Sequence, residues 1–325
     1  MNRMIPSDKV SVNVLVDNVS DILSRVPEGV SGEVQGLVSR GVQEMSGECL
    51  CCANWGLSLL VTTERDGKTH ILLFDSGPEE YAIERNGDRL AIDFSTIERI
   101  VLSHGHWDHA GGMLRALDII TTANGGRRVP FHVNPDMFAR RAVERPGNVL
   151  MPMKDIPRVD ELSAHGAEVI NEPGSQILLE DSFYLSGEIP RVTAYEKGLP
   201  KQFAWVDGRW EPDPLVRDER FLAVSVKDKG AIVFSACSHA GIINVLRHAR
   251  EVIDPEPIYG VMGGFHLSGP AFEPIIEETV EDLREFDLKT IVPGHCTGWR
   301  AVHALVNAFG DEVVVPSAVG RLHEF

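Results

Sequence analysis

Residues 97–112 read IERIVLSHGHWDHAGG, and no other stretch limits the architecture of this chain so tightly. The apolar run IERIVLS predicts a short buried strand, and DHAGGMLRALDII after it has the spacing of a helix. Between them, His104, His106, Asp108 and His109 fall within six positions. His104 then begins the turn at the carboxyl end of a strand. His106, two positions on, points the same way in an extended loop. Asp108 and His109 open the helix, whose N-terminus favours negative charge, and Gly111 and Gly112 let backbone approach closely. Neutral imidazoles and carboxylates suit zinc, iron or manganese. Four such groups on one loop-to-helix turn can serve two ions, which at about 3.5–4 Å apart can share a hydroxide and clamp an oxyanion. A histidine-rich surface loop would account for one of these residues, not for four at this spacing.

The rest of the chain supplies strands and helices for a layered fold. VSVNVLVD (10–17) alternates as a strand. Residues 56–77 and 221–238 read as hairpins, turning at Asp66-Gly67 and at Asp228–Gly230. Further strands are expected at 130–134, 258–265, 289–295 and, from its strand-like residues, 312–325. Helices are expected at 241–253, at 272–286 with Pro274 in the first turn, and at 299–309, closed by Gly310. Residues 18–50 look like a loop or a short helical excursion. Proline is frequent in 135–220, which reads as a long insertion with some helix. The mixture predicts an α/β (α+β) fold with sheets covered by helices, as a single domain over 1–325.

Composition narrows the function. Lys and Arg number 31 against 48 Asp and Glu, a formal charge of −17, and no basic run exceeds Arg127-Arg128 or Arg140-Arg141. Nucleic acid is therefore not an expected partner. No stretch approaches the ~18 apolar residues of a membrane span. The five cysteines, Cys49, Cys51, Cys52, Cys237 and Cys296, are odd in number and three are clustered, which does not read as a disulfide framework. The start of the chain lacks a long apolar run before a small-residue cleavage site, so a reduced, cytoplasmic protein is expected. The C-x-C-C cluster lacks the paired spacing of a structural zinc site and reads as buried or incidental thiols.

SHGHWDHAGG resembles the HxHxDH signature of the metallo-β-lactamase superfamily. The resemblance implies a four-layer αββα sandwich with a one- or two-metal site at one edge. It extends to Asp75 in LLFDSG, matching a strand-ending aspartate that orients the metal loop from behind the ligands, and to His295 in a PGH turn. His239 in FSACSHAGIIN matches the ligand contributed by the middle of the chain. LLFDSG, LSHGHWDHAGG, LSGEIPR, ACSHAGIIN, GGFHLSG and PGHCTGW resemble, in order, the branch of 7,8-dihydropterin-6-methyl-4-(β-D-ribofuranosyl)aminobenzene-5′-phosphate synthases. Two departures stand out. Superfamily hydrolases usually carry an aspartate, often bridging the metals, where this chain has Cys237, Ser238 and His239, so His239 is either the third ligand of one site or stands in the place of the bridging aspartate. Many relatives in the branch have Glu-His before GLS, where this chain has Asn54-Trp55.

The resemblance implies one ligand set of His104, His106 and His239 and a second of Asp108, His109 and His295. The ions would be two divalent cations, zinc first, with manganese or iron as alternatives. Asp108 would also hold the proton of a metal-activated water. His266 in GGFHL would touch substrate oxygens or protonate a leaving group, unless it is a structural histidine. Glu188 and Arg191 in GEIPR, Trp55 and Thr297 are candidates for substrate binding, Arg191 through a bidentate pair with a phosphate or carboxylate. The expected activity is hydrolysis of a small, possibly anionic ester, lactone or phosphoester. The rivals are a transferase like the branch's synthase, an iron-dependent oxidoreductase on the same fold, and a non-catalytic metal binder.

Overall fold

The computed structural model describes residues 4–253 and 256–325. Two large sheets stack face to face, and helices cover both outer faces. The first sheet has eight strands, in the order Val30–Ser31, Leu322–Glu324, Lys9–Val16, Ser58–Arg65, Lys68–Phe74, Arg99–Val101, Val129–Val133 and Ala167–Asn171. The second has six, in the order Gln176–Leu178, Phe183–Leu185, Leu222–Val226, Gly230–Ser235, Ile258–Gly264 and Thr290–Gly294.

Strand alternation builds the layers. In GAIVFS (230–235), Ile232 and Phe234 enter the core between the sheets, where they meet Val10, Val12 and Val14. Ala231 and Val233 face the other way, onto Ile242, Val245 and Leu246 of the helix Ile242–Ile253. On the opposite side, Leu60, Leu73, Ile100 and Phe131 pack against Ile83, Met113, Leu117 and Ile120 of the helices Glu80–Arg89 and Met113–Ala123. Three apolar clusters thus fill the three gaps of an αββα sandwich, each buried side chain contributing roughly 1.5–3 kcal/mol. Both hairpins form as read. Asp66 and Gly67 both take positive φ, the conformation of a tight turn whose twist matches its strands.

Some boundaries move, for physical reasons. The segment 312–325 is not one strand: Val314 bridges to Ile291 of the second sheet, while His323 pairs with Val12 of the first. A chain crossing between layers cannot stay paired to either. The helix expected at 272–286 is α-helical only over Ile276–Leu283, with 3-10 turns at both ends. The stretch 135–220 is divided among three sheets. Ala167–Asn171 closes one edge of the first sheet, and Gln176–Leu178 with Phe183–Leu185 closes one edge of the second. Arg141–Arg145, Val149–Pro152, Gln202–Val206 and Arg209–Pro212 form a separate four-stranded sheet. Residues 18–50 hold one helix, Glu33–Ser39. Among the described residues no helix is long and apolar enough to cross a membrane.

His132, on the strand Val129–Val133, is buried, with Nδ1 2.8 Å from Gln176 Oε1. Burial pushes its pKa down to about 4. The unfolded chain takes up a proton near pH 6.5 and the folded chain does not. Stability from this group is therefore complete above pH 6.5 and is lost as pH falls toward 4, by about 3 kcal/mol in total. Urea unfolding of the wild type and His132→Gln at pH 7 and pH 4 should show the wild type losing more over that interval. Equal losses would contradict the assignment.

Candidate metal centre

The parallel strands determine where the chemistry gathers. Lys68–Phe74, Arg99–Val101 and Val129–Val133 run parallel in the first sheet, and Gly230–Ser235, Ile258–Gly264 and Thr290–Gly294 in the second. Their carboxyl ends lie on one edge of the sandwich, the usual place for a ligand in parallel α/β sheets. Asp75, Ser238, His266 and His295 follow shortly after such ends, and all four take positive φ. Backbone strain of this kind, about 1–3 kcal/mol per residue, concentrates at functional sites.

Two triads face one another. One donor atom from each of His104, His106 and His239 lies within 4.8 Å of the other two, and the same holds for Asp108, His109 and His295. All six residues are buried. Outward hydrogen bonds orient the rings. His109 Nδ1 is 2.7 Å from Asp75 Oδ2, and His295 Nδ1 is 3.1 Å from Asn18 Oδ1. Neither carboxylate nor amide oxygen can donate, so both Nδ1 atoms carry the proton and both Nε2 atoms face inward. His106 Nε2 lies 2.6 Å from Gln202 Oε1, which turns the Nδ1 lone pair inward, 3.0 Å from His104 Nε2. Ser103 Oγ donates to Asp75 Oδ2 at 2.7 Å and sits 2.9 Å from His104 Nδ1, freeing His104 Nε2. Inner lone pairs fixed by outer hydrogen bonds are the arrangement of metal-ligating histidines. His239 buries both ring nitrogens without a hydrogen-bond partner, its ring 4.9 Å from those of His104 and His106. An unpaired buried polar group costs about 1–3 kcal/mol, and a cation among these nitrogens would satisfy it.

Electrostatics agree with the geometry. Burial opposes charge on His109, but Asp108 and then Asp75 outweigh it and push its pKa up to about 9. Burial also opposes charge on Asp108, but His109 and then His295 hold it well below the carboxylate range. Burial, followed by the neighbouring imidazoles, keeps His104 and His239 far below the ordinary histidine value. His106 is lowered to about 4 by burial and then by Arg141. His104, His106 and His239 are thus neutral at physiological pH, as ligation requires, whereas His109 is held charged by its two carboxylates and would give up its Nε2 proton to an ion. Burial pushes the Cys237 thiol up, and a coordinated cation would deprotonate it.

The loop itself is clamped. Gly105 N–H donates to Asp218 Oδ2 at 2.8 Å, and Arg141 donates to Gly105 O at 3.0 Å and Asp218 Oδ1 at 2.6 Å. A Cβ at Gly105 would overlap the Met137 carbonyl, and one at Gly111 the Pro78 carbonyl. Glu219 accepts from the amides of His239 and Ala240, both at 2.7 Å, and so fixes the turn that delivers His239.

Other expected residues distribute unevenly. Asp75 lies directly behind His109 and the Ser103–His104 turn. The His266 ring is 4.5 Å from that of His239 and 4.6 Å from that of Phe272. Trp55 is half exposed, its ring 5.4 Å from that of His295. Thr297 is occupied with structure: its hydroxyl donates to Gly294 O and accepts from Phe265 N–H. Arg191 donates to the carbonyls of Ile189 and Leu215, and Glu188 faces Arg217 at 3.7 Å. Neither makes a hydrogen bond or ion pair with the ligand cluster. Cys49, Cys51 and Cys52 belong to no candidate metal group among the described residues. Sequence reasoning missed Gln202, Asn18, Ser103, Glu219 and Arg141.

A cavity of about 220 Å³ opens beside His239 and His266, walled by Phe265, Leu267, Phe272 and Ile275 and edged by Glu196 and Lys197. A larger cleft of about 760 Å³, lined by Trp107, Phe138, Arg140 and Arg158, lies against the metal loop but is lined by no member of either triad.

Comparison with known proteins follows the same lines. A family model described as the metallo-beta-lactamase superfamily matches residues 56–174. The 7,8-dihydropterin-6-methyl-4-(beta-D-ribofuranosyl)-aminobenzene-5'-phosphate synthase of Methanocaldococcus jannaschii is 29% identical over 260 residues, covering 79% of this chain and 85% of that protein. MJ0448 of the same organism is 32% identical over 237 residues, covering 72% and 82%. Among solved structures, Tm1679, called a metal-dependent hydrolase of the beta-lactamase superfamily, is similar with a TM-score of 0.65 at 24% identity, over 97% of this chain and 98% of that one. The fold protein YhfI from Bacillus subtilis is similar at 0.52 and 11% identity, over 98% and 100%. These two likenesses concern the fold.

Proposed function

The chain belongs to the metallo-β-lactamase superfamily and is an enzyme of that fold; from this premise we propose that it hydrolyses a small ester, lactone or phosphoester with two divalent ions. His104, His106 and His239 would hold one ion, and Asp108, His109 and His295 the other. Zinc suits this imidazole-rich set best, with manganese or iron as alternatives. The observation that carries the reading is the convergence of inward lone pairs, each fixed by an outward hydrogen bond, around a His239 ring with no other partner.

When bound, such ions polarise an ester or phosphoryl oxygen and bring the pKa of water toward ~7. The chain's own residues do the rest. Asp108, held ionised against burial by His109 and then His295, would take a proton from the attacking water. The His266 imidazole, its pKa raised by Cys296 against burial, can give a proton to the leaving oxygen. Phe265, Leu267, Phe272 and Ile275 receive an apolar portion of the substrate and keep bulk water out. Arg191 is spent on backbone carbonyls, and Lys197 is the lysine among the residues lining this cavity, available to an anionic substrate.

A second reading takes its support from the M. jannaschii synthase, similar over most of this chain. In it the ions held by the same residues would bind a phosphorylated partner instead of activating water. Esters, lactones and phosphodiesters should be screened with purified protein, with and without chelator. Hydrolysis that chelation abolishes and zinc restores is the expected result. No hydrolysis, together with condensation of a dihydropterin with a ribofuranosylaminobenzene phosphate, would replace the first reading with the second.

A further inference from the structure

The cysteines of the C-x-C-C cluster stand outside the candidate metal groups, and the fold gives their three thiols different surroundings. All three are free. Cys51 is buried, and burial, followed by Glu33, pushes its thiol far above the ordinary range, which leaves it inert. Cys49 and Cys52 are partly exposed and have C-x-x-C spacing, the spacing of redox dithiols. Each sulfur has a donor beside it. Ser46 N–H donates to Cys49 Sγ at 3.3 Å, and the Arg85 guanidinium faces the Cys52 thiol. Such donors stabilise the negative sulfur that attacks and leaves in thiol–disulfide exchange. Cys49 also opens onto a groove of about 610 Å³, lined by Arg40, Arg89, Glu44, Glu48 and Asp88.

We infer that Cys49 and Cys52 form a redox dithiol that closes to a disulfide by exchange with a small zwitterionic disulfide of the glutathione class. The inference is independent of the metal reading. Cys49 gives its proton to water and attacks one sulfur of the small disulfide. That S–S bond breaks, and one small thiolate leaves and takes up a proton. Cys52, deprotonated in turn, attacks the Cys49 sulfur of the mixed disulfide and releases the second small thiol. One small disulfide is thereby reduced to two thiols, and two cysteine thiols are oxidised to one disulfide. The mixed charges of the groove match the ammonium and carboxylate groups of such a peptide.

The backbone carrying the two cysteines is fixed by side chains from outside the cluster. Arg85 donates to Gly47 O at 2.7 Å and to Leu50 O at 3.1 Å, and Glu33 accepts from Cys51 N–H at 2.5 Å. Asn86 accepts from Cys52 N–H at 2.8 Å and donates to Cys52 O at 3.0 Å. None of these bonds uses a cysteine sulfur. A ring closed over three positions costs little loop entropy.

The test treats the full chain with oxidised glutathione at neutral pH, counts the remaining thiols and maps tryptic peptides by mass spectrometry. Two of the five thiols should be lost, the 41–65 peptide should become lighter by two hydrogens, and dithiothreitol should restore both thiols. Cys51→Ser should form the same disulfide. Cys52→Ser should stop at a glutathione mixed disulfide on Cys49, and Cys49→Ser should form no disulfide within the peptide. A wild-type peptide that stays unmodified or stops at the mixed disulfide would overturn the inference. So would a disulfide that persists in Cys49→Ser or Cys52→Ser, or thiol loss confined to Cys237 and Cys296, whose buried sulfurs lie 3.4 Å apart.

Discussion

Asp108→Ala is expected to leave the fold intact and to lower turnover by on the order of 10³-fold. The carboxylate lies 3.4 Å from His295 Nε2 and 3.9 Å from His109 Nε2. It is the one anion in its triad. Without it, two neutral imidazoles remain to hold a divalent ion, and the proton acceptor is gone. The variant should bind one ion fewer per chain than the wild type while its circular dichroism is unchanged. Turnover within tenfold of the wild type, measured on the substrate that the hydrolysis screen yields, would remove Asp108 from both roles.

Asp75→Ala should have the largest effect on stability. Its carboxylate is fully buried and accepts three hydrogen bonds: from Ser103 N–H at 2.8 Å, Ser103 Oγ at 2.7 Å and His109 Nδ1 at 2.7 Å. Removing it strands three buried donors, a loss of about 3–5 kcal/mol, or a fall in Tm of roughly 10 °C for a chain of this size. It also frees the His109 ring to rotate, so metal affinity should fall by about 10- to 100-fold. Thermal unfolding and metal titration would check the two effects separately. A variant with unchanged metal affinity would reduce Asp75 to a purely structural residue.

The sequence made the sheet-and-helix order legible because alternation along strands such as Lys9–Val16 and helical spacing along Ile242–Ile253 are local signals. The six groups of the two triads were legible for a different reason: the motifs around His104, His239 and His295 carry a resemblance that spacing alone does not. What sequence could not show is the shell behind them. Gln202 touches His106 across 96 positions and Asn18 touches His295 across 277. No local pattern marks a glutamine or an asparagine for such a task. The same distance in sequence explains Arg191 and Thr297. Both stand in recognisable motifs, yet their polar atoms are used by nearby backbone. The positive φ values at Asp75, Ser238, His266 and His295 had no sequence signal either, since these are not glycines. Residues 135–220 read as one insertion because their strands are short, and pairing partners for Ala167–Asn171 and Phe183–Leu185 lie in different sheets.

The central claim, that the crowded histidines hold metal, is tested most directly by mass spectrometry of metal content on protein purified without a histidine tag, beside His104→Ala. The account predicts two zinc ions per chain in the wild type and fewer in the variant. No bound metal in the wild type, even after reconstitution with zinc, manganese or iron, would contradict it.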